Sequence, residues 1–284
     1  MTITTVLLKA AKDCSVSLSG FEAAPYLVDE SSEYIVVYKP SRMHSVPLKG
    51  DSEAPEAPKN TLLDWCVRFF PEVQNPRGKQ SWEGGILHRL DYETQGLVLF
   101  AKTQRALENL RIQQEEGRFI KFYSALGRFC CAQSLPGFPG PPQFKTVPFT
   151  IASGFRAFGP ARQSVRPVVD FSARRKHIAL DRGNLYCTEI LEQWKTEDYT
   201  CFHVQIRRGF RHQIRCHLAW IRFPLLNDTL YGGFAEKADN APLGLTAWAI
   251  AFYDPVSGKS RCYKIFPHRG LEFIRFAVKP LPLG

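Results

Sequence analysis

Asp91 is the residue of this 284-residue chain whose setting best suits covalent chemistry. It follows the basic pair His88-Arg89, and the apolar run 97–101 comes soon after it. The length and composition of that run predict a buried strand. Asp91 is therefore predicted to lie on a loop held against a rigid element, where catalytic residues are common. A carboxylate so placed can attack carbon or stabilise a cation. Glu93 is the one nearby acid, and nothing in the sequence indicates that it is buried.

The segment around Asp91 is one of several short motifs that follow one another along the chain. They are Lys39-Pro40-Ser41-Arg42-Met43, His88-Arg89-Leu90-Asp91 with Thr94-Gln95-Gly96, Lys121-Phe122-Tyr123-Ser124-Ala125, Gly209-Phe210-Arg211-His212-Gln213-Ile214-Arg215-Cys216-His217, Asn227-Asp228-Thr229-Leu230-Tyr231-Gly232 and Leu245-Thr246-Ala247. In this order and spacing they resemble the motifs of the RluA family of RNA pseudouridine synthases. The resemblance runs from about residue 34 to residue 267, and so covers most of the chain.

The resemblance implies a reaction and a set of site residues. Such enzymes break the N1–C1′ bond of a uridine in RNA, rotate the uracil and join C5 to C1′, with no metal or other cofactor. The resemblance makes Asp91 the catalytic nucleophile, Tyr123 the active-site tyrosine and Arg215 the cation that keeps the Asp91 carboxyl ionised. The candidate substrate-binding residues are Arg89, His88, Thr94, Arg211 and Leu245.

Most of the substrate-binding assignments have a plainer alternative. Arg89 can stack into the space left by an extruded base, or it can contact a phosphate. His88 can contact a phosphate or form a hydrogen bond within its loop. Arg211 and Arg215 are four residues apart in a predicted helix, so we expect them to share a face and bind phosphate. Leu245 can pack against the flipped uracil or be an ordinary core residue.

Several positions depart from the family motifs. Arg42 stands where Gly is usual, and a left-handed backbone there would be strained, so a re-shaped loop is expected. Gln95 stands in place of Ser, Phe210 and Arg211 in place of Arg-Thr, and Thr246 in place of His. These four departures support an alternative, a non-catalytic RNA-binding protein that keeps the fold. A DNA or nucleotide glycosidase that stops after bond cleavage is a third possibility.

The composition favours a polyanionic partner. The chain has 37 Lys and Arg against 27 Asp and Glu, a net charge of +10, which suits RNA. A solvated basic surface with no ligand has the same composition. Basic residues are frequent at 156–176, which is either an RNA-binding flank or a solvated loop.

Other features limit the class of protein. The eight cysteines are scattered and lack the spacing of zinc ligands, so reduced thiols are expected. The longest apolar-rich stretch, 243–253, is too short for a bilayer, which needs roughly 20 residues, and residues 1–20 lack the pattern of a signal peptide. We expect a cytoplasmic protein, by default a monomer, with RNA as partner and no obligatory protein partner or cofactor.

The apolar pattern predicts an α+β fold. Strands are predicted at 34–38, 97–101, 119–127, 184–194, 199–207, 245–253 and 261–266, and helices at 61–70, 103–117 and 211–221. Residues 133–160, rich in Pro and Gly, are predicted to form a long loop or insertion. We expect an N-terminal arm at 1–24 and one catalytic domain at 25–284, with residues 133–176 an insertion in it. The predicted domain has a pseudouridine-synthase-like, mixed, mostly antiparallel central sheet in two halves, flanked by helices and loops, with an RNA-binding cleft.

Overall fold

The structure, a computed structural model, describes residues 24–47, 60–80, 82–131, 135–143, 146–170, 178–181, 183–234 and 241–265. In these residues the strands are β1 Tyr26–Glu30, β2 Tyr34–Lys39, β3 Gln95–Ala101, β4 Ile120–Gly127, β5 Phe149–Phe158, β6 Ser164–Val168, β7 Tyr186–Lys195, β8 Thr200–Ile206, β9 Leu245–Tyr253 and β10 Ser260–Lys264. The α-helices are α1 Leu62–Phe69, α2 Gln104–Glu115 and α3 Gln213–Trp220. None of the helices in these ranges is long and apolar enough to cross a membrane. The predicted arm at 1–24 lies, apart from its last residue, outside the described ranges.

The strands form one mixed sheet in the order β1-β2-β3-β9-β4-β8-β7-β5-β6, with β10 paired to β9. Every pairing is antiparallel except that of β3 with β9, which is parallel and only two residue pairs long. This short contact joins a half made of β1, β2 and β3 to the larger half. The predicted α+β fold with a mixed, mostly antiparallel sheet in two halves is confirmed.

Strand β3 is buried on both faces, which explains its unbroken apolar sequence. Val98 and Phe100 pack in one apolar cluster with residues of β2, β4, β8 and α3. Leu97 and Leu99 point the other way, into a second cluster that contains the inner face of α2. A strand that is covered on both sides is a rigid support for the loop that precedes it.

The predicted helix ends of α1 and α2 are confirmed. Thr61 caps α1 in a capping box with Asp64, and the Thr103 side chain accepts from the backbone N–H of Ala106 at the start of α2. Gly117 follows α2 with a φ of 72°, the left-handed conformation in which glycine commonly ends a helix.

The predicted loop at 133–160 is wrong in its last third. Strand β5 begins at Phe149 and pairs with β6 and β7, and Phe155 and Val165 of this hairpin pack against Cys216 of α3. Of the basic stretch at 156–176 the structure describes residues 156–170, and in that part Arg166 is buried, with its guanidinium 4.2 Å from the centroid of the Phe158 ring. Strand β1 was not predicted.

Helix α3 begins later than predicted. His212 takes a left-handed conformation with a φ of 56°, and the helix starts at Gln213. Arg211 therefore lies outside the helix, and the expectation that Arg211 and Arg215 share a helical face is wrong. The Arg211 guanidinium instead donates to the carbonyl oxygens of Arg162 and Ser164, beside β6.

Candidate active site

The loop that carries Asp91 is fastened on both sides of that residue. The Ser45 hydroxyl donates to the Leu90 carbonyl at 3.0 Å and accepts from the Leu90 N–H at 3.1 Å. Beyond Asp91, the Lys39 ammonium donates to the Tyr92 carbonyl at 3.3 Å, and the Thr94 N–H donates to the Asp91 carbonyl at 3.1 Å. These bonds fix the backbone at Asp91, as the sequence led us to expect of a loop against a rigid strand.

Gly96 brings this loop to the junction between the two halves of the sheet. It pairs with Ala247 of β9, and a Cβ atom on Gly96 would lie 2.2 Å from the Ala247 carbonyl oxygen. The Gly96 φ of 129° is also one that side chains disfavour. Glycine is thus required for β3 to meet β9, and Asp91 lies five residues before that junction.

Arg215 is the buried cation of the site. Its Nε and Nη2 donate to the two Asp228 carboxylate oxygens at 2.8 and 2.9 Å. The remaining Nη1 lies 3.5 Å from Asp91 Oδ2 and 3.4 Å from Glu93 Oε2. The Tyr231 ring covers the guanidinium, with its centroid 5.6 Å away. Asp228 thus orients Arg215 so that one edge of its guanidinium faces Asp91.

Burial and charge act in opposite directions on the Asp91 carboxyl. Burial raises the pKa of Asp91, and the charge and hydrogen bond of Arg215 lower it, with a smaller lowering from Lys39. Asp228 adds to the rise, and the resulting pKa is above the ordinary value. Burial acts to lower the pKa of Arg215, but its bonds to Asp228 and the charges of Asp91 and Glu93 more than offset this. Arg215 therefore stays charged.

Lys39 is a second buried cation beside the loop. Its ammonium donates to the carbonyls of Pro40, Met43 and Tyr92. Burial lowers the pKa of Lys39 to about 7, against an opposite effect of Asp91 and Glu93. Lys39 therefore ties the end of β2 to the Asp91 loop and places positive charge near Asp91.

Tyr123 and Leu245 lie in the apolar cluster that adjoins the Asp91 loop. Both are buried, and the cluster also contains Leu90, the residue before Asp91. Burial raises the pKa of the Tyr123 hydroxyl, and the charge of Asp91 raises it further. The Tyr123 hydroxyl is therefore protonated near neutral pH, and it lies within electrostatic reach of Asp91.

Arg89 and His88 occupy very different environments. The Arg89 side chain is 61% exposed and pairs with Glu83 at 3.2 Å. His88 Nε2 lies 3.2 Å from the Leu97 carbonyl, to which it can only donate, and its ring packs against Phe119. Burial lowers the pKa of His88 to about 3, so the ring is neutral, and its buried Nδ1 has no hydrogen-bond partner among the described residues.

Thr94 and Arg211 differ in how close they lie to the loop. Thr94 is buried within it, and its hydroxyl has no hydrogen-bond partner in the part of the chain that the structure describes. Arg211 is exposed beside β6 and is not aligned with Arg215.

The departures from the family motifs are accommodated by contacts within this chain. The Gln95 amide donates to the Thr246 hydroxyl at 3.1 Å across the β3–β9 junction, and Tyr38 donates to Gln95. Phe210 stacks on Phe155 of β5, with ring centroids 5.0 Å apart. The altered residues pack against one another and against the β5–β6 hairpin, and they do not displace Asp91, Tyr123 or Arg215.

Arg42 adopts the left-handed conformation that glycine favours, with a φ of 60°. The turn therefore accepts an arginine at a cost of roughly 1–2 kcal/mol in backbone strain. The neighbouring Ser41 hydroxyl donates to the Glu93 carbonyl at 2.7 Å, which ties the turn to the Asp91 loop.

The structure adds Asp228 and Lys39 to the residues found from sequence. Asp228 was visible only as part of the Asn-Asp-x-x-Tyr-Gly motif, and its role depends on Arg215, thirteen positions earlier. Lys39 was visible as the first residue of the motif that follows the predicted strand 34–38. The sequence does not show that Lys39 is buried beside the Asp91 loop, and this burial makes it part of the site.

Comparison with known proteins identifies the family. The sequence profile of RNA pseudouridylate synthases matches residues 33–220. The chain belongs to this family, and its motifs and relatives place it with the RluA group.

Its relatives include bacterial proteins named as RNA or ribosomal pseudouridine synthases. Ribosomal large subunit pseudouridine synthase D of Pseudomonas aeruginosa is 28% identical over 211 residues, which cover 73% of this chain and 53% of the relative. An RNA pseudouridine synthase of Aquifex aeolicus is 26% identical over 248 residues, 84% of this chain and 68% of the relative. The chain spans just over half the length of the Pseudomonas relative.

Solved structures share the fold. Human RNA Pseudouridylate Synthase Domain Containing 1 superposes with a TM-score of 0.56 at 17% identity, over 88% of this chain and 84% of that one. Human RNA Pseudouridylate Synthase Domain Containing 4 gives a TM-score of 0.53 at 13% identity, over 93% of each chain.

Proposed function

We propose that this chain isomerises uridine to pseudouridine in structured RNA, with Asp91 as the nucleophile. The observation that carries the proposal is the Asp91 carboxylate on a fixed loop, 3.5 Å from the buried Arg215 guanidinium and beside the apolar cluster of Tyr123. Membership of the family supports it. Because several relatives are named ribosomal large subunit pseudouridine synthases, ribosomal RNA is the first candidate substrate and transfer RNA the second.

The reaction needs a carboxylate that is ionised in a partly apolar pocket. Asp91 attacks or stabilises C1′ as the N1–C1′ bond breaks, and the freed uracil turns so that C5 faces C1′. The C5–C1′ bond then forms as any bond between Asp91 and C1′ breaks. The proton on C5 is lost and N1 takes up a proton, so the product is an isomer of uridine. Arg215 favours the charged form of Asp91, and Asp228 holds Arg215 in place.

Tyr123 and Leu245 are proposed to enclose the uracil. The raised pKa of Tyr123 keeps its hydroxyl protonated, so we assign it contact with the base through its ring and a neutral hydroxyl. The C5 proton is proposed to go to the Asp91 carboxylate, which is free again once C1′ has bonded to C5.

The target base must leave the RNA stack to reach Asp91, at a cost of a few kcal/mol. Arg89 is proposed to fill the vacated space, since a guanidinium plane stacks on bases. The Arg89 side chain is largely exposed, whereas its partner Glu83 is buried. The exposed guanidinium is therefore accessible to RNA.

The two alternatives have less support. A non-catalytic RNA-binding protein has no need of an Asp91–Arg215–Asp228 arrangement, and the departures that suggested it are accommodated by packing. A glycosidase normally pairs two carboxylates around the scissile bond, whereas Glu93 is half exposed and Asp228 is committed to Arg215.

Tritium release from RNA labelled at uridine C5 tests the proposal, because only a reaction at C5 frees that label. Ribosomal and transfer RNA are incubated separately with wild type and with Asp91→Asn, and the products are separated. We expect release with the wild type alone, and pseudouridine in the digested RNA. Free uracil without pseudouridine would identify the glycosidase, and RNA binding without release would identify the non-catalytic protein.

A further inference from the structure

Lys121 is a buried lysine for which the reaction above has no use. It lies on β4 two residues before Tyr123 and on the same face, and it is 5% exposed. Burial lowers the pKa of Lys121 to about 8. Among the described residues its ammonium has neither a hydrogen-bond partner nor a carboxylate partner, and Nζ is not one of the fully buried polar atoms that lack a partner, so it reaches the surface. A largely buried charge without a partner is costly, and a bound anion would offset that cost.

The Lys121 ammonium lies against the backbone of Gly209. A Cβ atom on Gly209 would lie 3.3 Å from Lys121 Nζ, so the glycine backbone covers the ammonium with no side chain. Gly209 is exposed and belongs to the loop Arg207-Arg208-Gly209-Phe210-Arg211. Arg208 pairs with Asp181, whereas Arg211 contacts only carbonyl oxygens among the described residues. Arg207 pairs with Glu189, so Arg211 is the one arginine of this loop without a carboxylate partner in the described part of the chain.

Lys121 also lies next to the loop that carries Asp91. Its charge contributes to the lowered pKa of His88, three residues before Asp91. Two residues along a strand span roughly 6.5 Å, and this is the approximate distance between the Cα atoms of Lys121 and Tyr123. That separation is comparable to the distance between the base and the phosphate of one nucleotide.

We propose that Lys121, beneath Gly209, binds the phosphodiester of the nucleotide whose base occupies the active site. A phosphate supplies the anion that the buried ammonium lacks, and a charge-assisted bond to a lysine is a common form of phosphate recognition. The absence of a side chain at Gly209 lets the RNA backbone approach closely. This inference rests on the proposed function for the identity of the ligand, but it concerns binding and not turnover.

The test compares wild type, Lys121→Met and Lys121→Arg in binding experiments that need no turnover. The ligands are uridine, uridine 3′-monophosphate, uridine 5′-monophosphate, inorganic phosphate and bulk ribosomal RNA. We expect wild type to bind one of the two monophosphates at least tenfold more tightly than uridine. Lys121→Met is expected to abolish that advantage and to lower the salt slope of RNA binding by about one. Lys121→Arg should keep most of both.

A melting curve separates this role from a structural one. Replacing an unpartnered buried ammonium with methionine should leave the melting temperature unchanged or raise it. A monophosphate advantage and a salt slope that persist in Lys121→Met would overturn the proposal, as would equal weakening of uridine and its monophosphates. Inorganic phosphate that binds as tightly as the nucleotide would assign the site to a free anion and also overturn it. If phosphate binding depends on Lys121 but no tritium is released from RNA, the result would instead count against the proposed function alone.

Discussion

Arg215 links two carboxylates with different tasks. Asp228 takes both Nε and Nη2 in a buried, bidentate pair, so the guanidinium is fixed before any substrate binds. Nη1 is left to face Asp91 and Glu93. A partly buried Asp91 would tend to protonate, and this fixed charge opposes that tendency.

The ionisation of Asp91 should be visible in the pH dependence of the reaction. The Asp91 pKa is raised, so we expect kcat to fall with decreasing pH through a value above the ordinary one of about 3.9. Arg215→Lys keeps a charge but loses the planar fork, which weakens the hold on the carboxylate. The acid limb of the pH–rate profile should lie at higher pH for Arg215→Lys than for wild type, measured as the single-turnover rate against pH. A limb that is unmoved, or moved to lower pH, would contradict this role of Arg215.

Gln95 and Thr246 should depend on each other for stability. Thr246→Val keeps the shape but leaves the buried Gln95 amide without an acceptor, at a cost of about 1–3 kcal/mol in the free energy of unfolding. In a Gln95→Met background the same change should cost much less. Urea unfolding of the four proteins gives the coupling energy, and simple additivity would show that the pair is not compensating. Pseudouridine formation should survive in all four.

The residue types of the site could be found from sequence, but their partners could not. Asp91, Tyr123 and Arg215 came from motifs, since the reaction demands those side chains. The Asp228–Arg215 pair and the burial of Lys39 depend on how β2, α3 and the turn after α3 come together. Short motifs do not predict that packing.

At the scale of elements, the junction of β3 and β9 determines where the site lies. Two residue pairs connect the halves of the sheet, and both involve motif residues, Gln95 with Thr246 and Gly96 with Ala247. The Asp91 loop enters the sheet at this point. The reacting groups from one half thereby meet Tyr123, which lies in the other.

Gly96→Ala should break this junction. The new Cβ would lie 2.2 Å from the Ala247 carbonyl oxygen, at a φ of 129°, so we expect a loss of about 2–4 kcal/mol in unfolding free energy or failure to fold. Gly258→Ala is the matched control, because Gly258 also has a positive φ, 65°, but has open space around it. It should cost roughly 1 kcal/mol. Equal effects of the two changes in urea unfolding would rule out crowding at the junction as the cause.

The predictability of the elements follows their hydrophobic pattern. Run 97–101 and the capped helices α1 and α2 were predicted because the signals for burial and capping come from residues that are close together in the sequence. Strands β5 and β6 were missed because Pro and Gly precede them and Pro167 lies within β6, which is tolerated at a sheet edge. The start of α3 was missed because left-handed His212 has no local signal.

At the scale of the whole molecule, the net charge of +10 should govern RNA affinity. Binding of ribosomal RNA should weaken roughly tenfold or more between about 50 and about 200 mM salt, as counterions are released from the phosphates. Filter binding across salt concentrations measures the slope. An affinity independent of salt would contradict electrostatic capture of the backbone.

The pattern of apolar residues alone does not predict the whole architecture. That pattern indicates strands and helices, whereas the two-half sheet followed from the resemblance to a family. The order of the strands, with β9 between β3 and β4, is a long-range feature that no local rule specifies.

The pseudouridine content of ribosomal RNA after incubation with wild type, Asp91→Asn and Glu93→Gln distinguishes the proposed nucleophile from the carboxylate beside it. Both carboxylates lie at similar distances from Arg215 Nη1, 3.5 and 3.4 Å, but only Asp91 is assigned to the reaction. We predict pseudouridine with wild type and, at a somewhat reduced rate, with Glu93→Gln, and none with Asp91→Asn. Pseudouridine formed by Asp91→Asn, or abolished only by Glu93→Gln, would contradict the account.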